Sequence, residues 1–308
     1  MIHISKRGAL SRGKAMSIRA IAIVVGILVC ALLTTITTGA NPLEVFSAVV
    51  DGSFGTSRKL WIFLQNTAIL LCISLALTPA FKMRCWNLGG EGQVLAGAMA
   101  AAACMVLLGD KLPNAAVIII MVVSSVAAGA IWAGIPALFK AKWNTNETLF
   151  TLMMNYVAIQ LIGYFVLEWS VPKGSGQIGI INQKTQEGWI PSVGGNAYLI
   201  NVIIVAVITI AIAIYLNYTK HGYEISVVGD SQNTARYIGI DVKKVIIRTM
   251  LLSGAICGIA GFLLVAGQDH TITKDTAGGN GFTAIMVSWL AKFDPLWMVL
   301  TAFIICFL

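Results

Sequence analysis

The chain has 308 residues, of which 57% are hydrophobic and 11% charged, and its formal net charge is +8. An ordinary soluble domain carries about a quarter charged residues, so this chain cannot cover a globular surface with polar groups. A soluble enzyme of ordinary design, a disordered protein and a small disulfide scaffold are excluded. An integral membrane protein remains, provided the apolar residues come in runs long enough to cross a bilayer.

Seven runs meet that condition: 18–38, 61–81, 89–108, 115–139, 148–167, 198–216 and 245–266. Each is near the ~20 residues that a helix needs to cross ~30 Å of hydrocarbon. Runs 282–291 and 296–308 are too short to cross. Period-2 segments of the β-barrel kind are absent, so each span is a helix that satisfies its own backbone polar groups. The expected fold is an all-α integral membrane protein, a polytopic bundle of about 8–10 transmembrane segments with broken or half helices and an internal repeat. Residues 1–17 form an N-terminal tail and 18–308 a single transmembrane domain. The chain stops at Leu308 inside its last apolar run, which reads as a C-terminal truncation with one or more helices missing.

With the N-terminus inside, 15 of the 21 Lys/Arg residues fall in inner segments. The positive-inside rule prefers that orientation. It puts the loop 168–197 outside and the loop 217–244 inside. The basic start followed by an apolar run reads as an uncleaved first helix, because the run is too long for a signal peptide. The six cysteines are scattered without a C-x-x-C pair and read as small packing residues. The three histidines lie far apart, so a metal site has no support.

Gly8, Gly13 and Lys14 nearly fit a phosphate-binding loop, but Ala15 stands where Ser or Thr must reach magnesium, and no strand precedes it. The chain has no ATP-hydrolysing machinery of its own. Gly254, Gly258 and Gly261 have the small-xxx-small spacing that lets membrane helices approach closely.

Two segments interrupt the apolar pattern. In 81–93, Trp86, Asn87, Glu91 and Gln93 are interleaved with Gly89, Gly90 and Gly92. Glycines let the backbone break, and a helix restarting near Gly89 aims its positive end at the break. A cytoplasmic turn and a broken helix lining a polar path both remain open. In 274–282, Gly278, Gly279, Asn280 and Gly281 open the short run headed by Phe282. That run rises only ~15 Å and reads as a half-helix or re-entrant element. Asn146 and Glu147 precede another span, where helix capping and a functional role are equally open; Asn155 lies inside that span. In the inner loop, Asp230 or Ser231 can cap a short helix over 232–238 that stops at Gly239. Tyr237, Ile238 and Ile240 make it sticky, and the loop lacks the basic face of a lipid binder, so docking into a partner is favoured.

Residues 222–240, with the pattern G-x(7)-D-x(4)-A-R-Y-x-G-I, resemble the cytoplasmic coupling loop of permease subunits in bacterial ABC importers for simple sugars, nucleosides and branched-chain amino acids. Asn87 to Gln93 resembles that branch's N-I-G-x-E-G-Q motif, with Trp86 where Phe is usual and Leu88 where Ile is usual. Asn146-Glu147 with Leu152 to Tyr156 is similar to its N-E-x(4)-L-M-x-N-Y motif, and Gly281 to Ile285 with Pro295 to its G-F-x-A-I…P motif. The resemblance covers the chain from about Trp61 onward. Within the branch it favours the larger of two nucleoside-type permeases that pair with a BMP-type lipoprotein.

That resemblance implies alternating access in a bacterial cell membrane. An extracellular binding lipoprotein delivers a nucleoside or simple sugar, and two permeases, non-identical here, form the path. Two ABC ATPase subunits drive it, so this chain is not itself an enzyme. It needs no cofactor, ATP being bound by the partner ATPase, and no nucleic acid. By location, the path residues are Trp86, Asn87, Glu91, Gln93, Asn146, Asn155, Asn280 and Phe282. Coupling falls to Gly229, Asp230, Ala235, Arg236, Tyr237, Gly239 and Ile240. The rival reading is an ion-coupled secondary transporter of a small polar solute, for which Glu91 and Glu147 are the available acids.

Overall fold

The computed structural model describes residues 12–39, 41–170, 172–173 and 175–308. Most of the N-terminal tail, and with it the Gly8 end of the phosphate-loop-like segment, lies outside the described residues. The chain divides into two compact units, one ending at Leu60 and the other spanning Trp61–Leu308.

The first unit holds α1 (Arg12–Thr38) and α2 (Pro42–Phe54). The span within α1 has no buried residue, as expected of a helix with lipid as its solvent. The sequence reading did not foresee α2. Its signals are local: Asn41 caps it by accepting from the Leu43 amide, Pro42 opens it and Glu44 sits in its first turn.

The second unit contains α3 (Ser57–Lys82) from Trp61 onward, α4 (Gly90–Leu108), α5 (Asn114–Trp143), α6 (Glu147–Trp169) and α7 (Leu199–Tyr218). Two short helices follow, α8 (Lys220–Asp230) and α9 (Gln232–Tyr237), then α10 (Val242–Leu264), which runs into a π-helical turn, Val265–Asp269. The half-helix α11 (Asn280–Leu290) and α12 (Pro295–Phe307) complete it. Among the described residues seven helices are long and apolar enough to cross a membrane: α1, α3, α4, α5, α6, α7 and α10 with its π turn. At 11 residues, α11 rises about 16 Å, half a bilayer. Several helices outrun the apolar runs that signal them. For example, α5 continues through Lys140 and Lys142 to Trp143, because long basic side chains can lie along the helix and reach the interface.

The centre of this unit is a glycine-mediated contact of α4, α5 and α10. A Cβ on Gly97 would strike the backbone of Gly258, one on Gly258 the Ser125 carbonyl, and one on Gly129 the Gly254 carbonyl. The Ser125 hydroxyl donates to the Gly97 carbonyl at 3.0 Å. In lipid no hydrophobic force pushes helices together, so close backbone approach and interhelical hydrogen bonds must hold them. α3 and α10 are mostly buried, whereas α5, α6 and α7 each turn an apolar face outward.

The loop between α6 and α7 is anchored at Ile181 and Ile190, both buried. The Ile181 amide donates to the His270 carbonyl and the Ile190 amide to the Ala266 carbonyl. The Trp189 ring stacks on His270 at 3.7 Å, and the Asn182 amide group donates to the Met105 carbonyl. Burial holds the His270 imidazole below its ordinary pKa.

Candidate functional site

The first break follows from local chemistry. α3 ends at Lys82, and Arg84 takes a positive φ of 58°. The chain then runs without regular structure to Gly89. Its backbone groups must find partners in the protein. The Leu88 amide donates to the Thr151 hydroxyl at 3.1 Å, and the Leu88 carbonyl accepts from the Asn155 side chain at 2.8 Å. Asn155 also accepts from the Gly92 amide at 2.8 Å. Asn87 donates to Ser253 at 3.1 Å and accepts from Gln93 at 3.0 Å. Measured along α6, Asn155 lies eight residues beyond Glu147, a depth of about 12 Å. The segment is thus held against the first turns of α6, between Thr151 and Asn155, and α4 starts beside them.

The second break meets the first. Gly278 and Gly279 have φ of 58° and 76°, values that cost glycine nothing, and α11 begins at Asn280. The Glu91 carboxylate accepts from the Gly279 amide through Oε1 and from the Gly281 amide through Oε2, both at 2.8 Å. Glu91 is 7% exposed. Its carboxylate thus lies at the N-terminal ends of α4 and α11 together, where two positive dipole ends favour an anion. A Cβ on Gly281 would collide with the Glu91 backbone, so the approach requires glycine there.

A cavity of about 450 Å³ opens beside this junction. Asn66 of α3, Gln268 and Asp269 of the π turn, Asp275 and Thr276 of the loop, and Asn280 and Thr283 of α11 supply its polar lining. Ile69, Leu70, Leu264 and Ile305 supply its apolar walls. Among the described residues no Lys or Arg lines it. Such a chamber can hold a small solute by hydrogen bonds and has no basic group for a phosphate. Among the described residues no His/Cys/Asp/Glu cluster could hold a metal ion.

The sequence-expected path residues separate into groups. Asn87, Gln93 and Asn155 are buried and bonded to one another or to backbone, with Glu91 beside them. Asn280 lines the cavity. Asn146 is exposed and caps α6 by accepting from the Leu149 amide. Trp86 is partly exposed and joins an aromatic cluster with Phe81 and Trp289. Phe282 lies on the exposed face of α11 with Met286 and Trp289. Sequence reasoning did not single out Asn66, Gln268, Asp269, Thr276 or Thr283. Asn66 carried a usable signal, a polar side chain inside an apolar run. The π turn carried none.

At the α8–α9 end, Ser231 caps α9 by accepting from the Thr234 amide, and Gly239 ends it with φ 86°. Ala235 is buried, while Asp230, Arg236 and Gly239 are exposed and Ile240 is half-buried, its amide donating to the Ala235 carbonyl. Tyr237 is 92% exposed. Gly229 packs against the Lys82 carbonyl, so α8 rests on the end of α3. The neighbouring Cys85 thiol is pushed up to about 12 by burial, which leaves it protonated and inert. The Glu224 carboxyl is held below its ordinary value by the hydrogen bond from Arg248.

Comparison with known proteins shows the family. Residues 60–308 match the family described as branched-chain amino acid transport system / permease component. The guanosine ABC transporter permease protein NupP of Bacillus subtilis is 29% identical over 288 residues, 92% of this chain and 81% of that protein. The nucleoside ABC transporter permease protein NupB of Lactococcus lactis is 27% identical over 292 residues, 92% of this chain and 79% of that protein. The glucose ABC transporter permease protein TsgB13 of Haloferax volcanii is 28% identical over 263 residues, 82% of this chain and 68% of that protein. No solved structure matches the chain. The broken helices, the polar chamber and the projecting α9 are therefore features of a multi-pass membrane permease, and the chain belongs to the branched-chain amino acid transport system permease-component family, as the permease subunit of an ABC importer.

Proposed function

We propose that this chain forms one half of the path by which a nucleoside or simple sugar, handed over by an extracellular binding lipoprotein, enters a bacterial cell at the expense of ATP. A second, non-identical permease forms the other half. An ABC ATPase grips α9 from the cytoplasm, with the N-terminus of the chain on the same side. The observation that carries the reading is the chamber beside the Glu91 junction: polar, without a basic residue, and bounded by irregular backbone that lipid could not solvate. The substrate class is supported by the names of the guanosine, nucleoside and glucose relatives and by a lining of amides, hydroxyls and carboxylates suited to ribose or sugar hydroxyls. In this reading Asn280, Asn66 and Gln268 touch the solute. Asn87, Gln93 and Asn155 hold the broken ends around it. Trp86 and Phe282 form apolar walls on the partner-facing side. The inward placement of α9 is supported by the basic bias of its end of the chain.

The test is uptake of labelled guanosine, uridine and glucose by cells carrying the complete transporter, with and without ATP depletion. Uptake that stops on depletion is expected. Uptake that survives depletion and collapses with an ionophore would replace this reading with ion-coupled transport.

A further inference from the structure

Two of the contacts that α8 makes with the rest of the unit differ in kind. Gly229 lies against the Lys82 carbonyl, a steric contact that any side chain would break. Glu224 makes the other: its Oε2 accepts from Arg248 Nη2 at 2.8 Å, with His221 Nδ1 at 3.5 Å. The Glu224 side chain is 14% exposed and that of Arg248 34%. Arg248 lies six residues into α10, and α10 continues without a break to the π turn whose Gln268 and Asp269 line the chamber. From Arg248 to Gln268 is about 30 Å of helix.

We propose that the Glu224–Arg248 ion pair is the joint through which α8 moves α10, and that it sets how much solute crosses per ATP hydrolysed. This rests on the function proposed above. Apolar side chains on α8, Ile225 and Val228, bury against the unit and let it slide, since apolar contact has no direction. A partly buried ion pair has one good geometry and resists sliding. Displacement imposed at Tyr237 passes along α8, across the pair and up the rod to the chamber wall. The Gly229 contact carries a parallel push to the end of α3 and the segment leading to Glu91. Glu224 and Arg248 are positioning residues; neither touches solute.

The experiment uses this chain assembled with its ATPase and solute-binding partners in proteoliposomes, with guanosine as probe. Guanosine moved per ATP hydrolysed is measured for the unaltered chain, for E224R, for R248E and for the E224R/R248E exchange, with ATPase co-purification recorded for each. Each single reversal is expected to lower the ratio about tenfold, because a partly buried charge then faces its like, while the ATPase still co-purifies. The exchange is expected to restore the ratio to within about threefold of the unaltered value. A purely structural pair would lower the yield of folded protein and leave the ratio unchanged. In the chain alone, in detergent, the single reversals are expected to speed amide exchange in α8 and the double exchange to slow it again. Unchanged ratios with the ATPase bound, unchanged amide exchange in the single variants, or failure of the double variant to recover would overturn the joint. An unaltered chain that never binds an ATPase would instead overturn the proposed function, and the joint with it. Failure of guanosine alone to move would overturn the solute assignment and leave amide exchange to decide the joint.

Discussion

Replacing Glu91 by Gln tests whether this carboxylate anchors the half-helix. The carboxylate accepts two amides at once, from Gly279 and Gly281, at 2.8 Å each. Gln offers one acceptor oxygen and turns an NH₂ donor toward the second amide. One charge-assisted bond is lost, worth about 1.5–3 kcal/mol, and one nearly buried N–H is left unsatisfied. Loss of the negative charge at the α11 N-terminus adds about 0.3–1 kcal/mol. Detachment of α11 from α4 should therefore become easier by about 2–4 kcal/mol, a factor of 30 or more in the equilibrium. The assay is the rate at which a Cys replacing the fully buried Ala284 of α11, in a background lacking the six native cysteines, reacts with a membrane-impermeant thiol reagent in vesicles. The rate should rise by a similar factor in Glu91→Gln and less in Glu91→Asp, which keeps the charge on a shorter arm. If labelling at position 284 is unchanged while uptake falls, Glu91 acts on the solute directly and the anchoring argument is wrong.

Three further outcomes follow from the same contacts. Gly258→Ala places a methyl against the Ser125 carbonyl and should cost about 1–3 kcal/mol of helix packing, read as reduced folded yield and earlier thermal aggregation in detergent. Gly239→Pro forbids the φ of 86° that ends α9, and Arg236→Glu reverses an exposed charge there; both should leave ATP hydrolysis running with little transport, and normal coupling in both would contradict docking through α9. His270 is neutral in the folded chain with a pKa below its ordinary value of about 6.5, so its contribution is fully present above that pH and is lost as pH falls toward the lower folded value. Trp189 fluorescence, reporting the ring stacked on His270, should change reversibly as pH falls through the lowered folded value and stay flat in His270→Gln.

Much of this architecture is legible from hydropathy because lipid leaves few alternatives. The spans, the half-length of α11 and the glycine-marked breaks all disturb or satisfy an apolar run, and the run is local information. The Ser231 cap and the Gly239 stop of α9 are local as well. α8 was missed because it is too short and too polar to make a run, although Gly222, Ile225, Val228 and Gly229 share its buried face. The partner of Glu91 could not be read, since Gly279 lies 188 residues away and backbone amides have no sequence signature. Asn87, Gln93 and Asn155 look alike on paper whether they hold solute or each other. Only their mutual distances separate the two roles.

The stretch joining α6 to α7 changes character partway along. Residues 175–177 are exposed, but Ile181 and Ile190 give their amides to the His270 and Ala266 carbonyls, on either side of the turn that presents Gln268 and Asp269. Over its second half the loop is a brace behind the π turn, and through that turn it bears on two of the cavity's polar residues. An epitope tag or a fluorophore for following this protein in cells belongs at 175–177; spliced in ten residues later, it would pull on the brace.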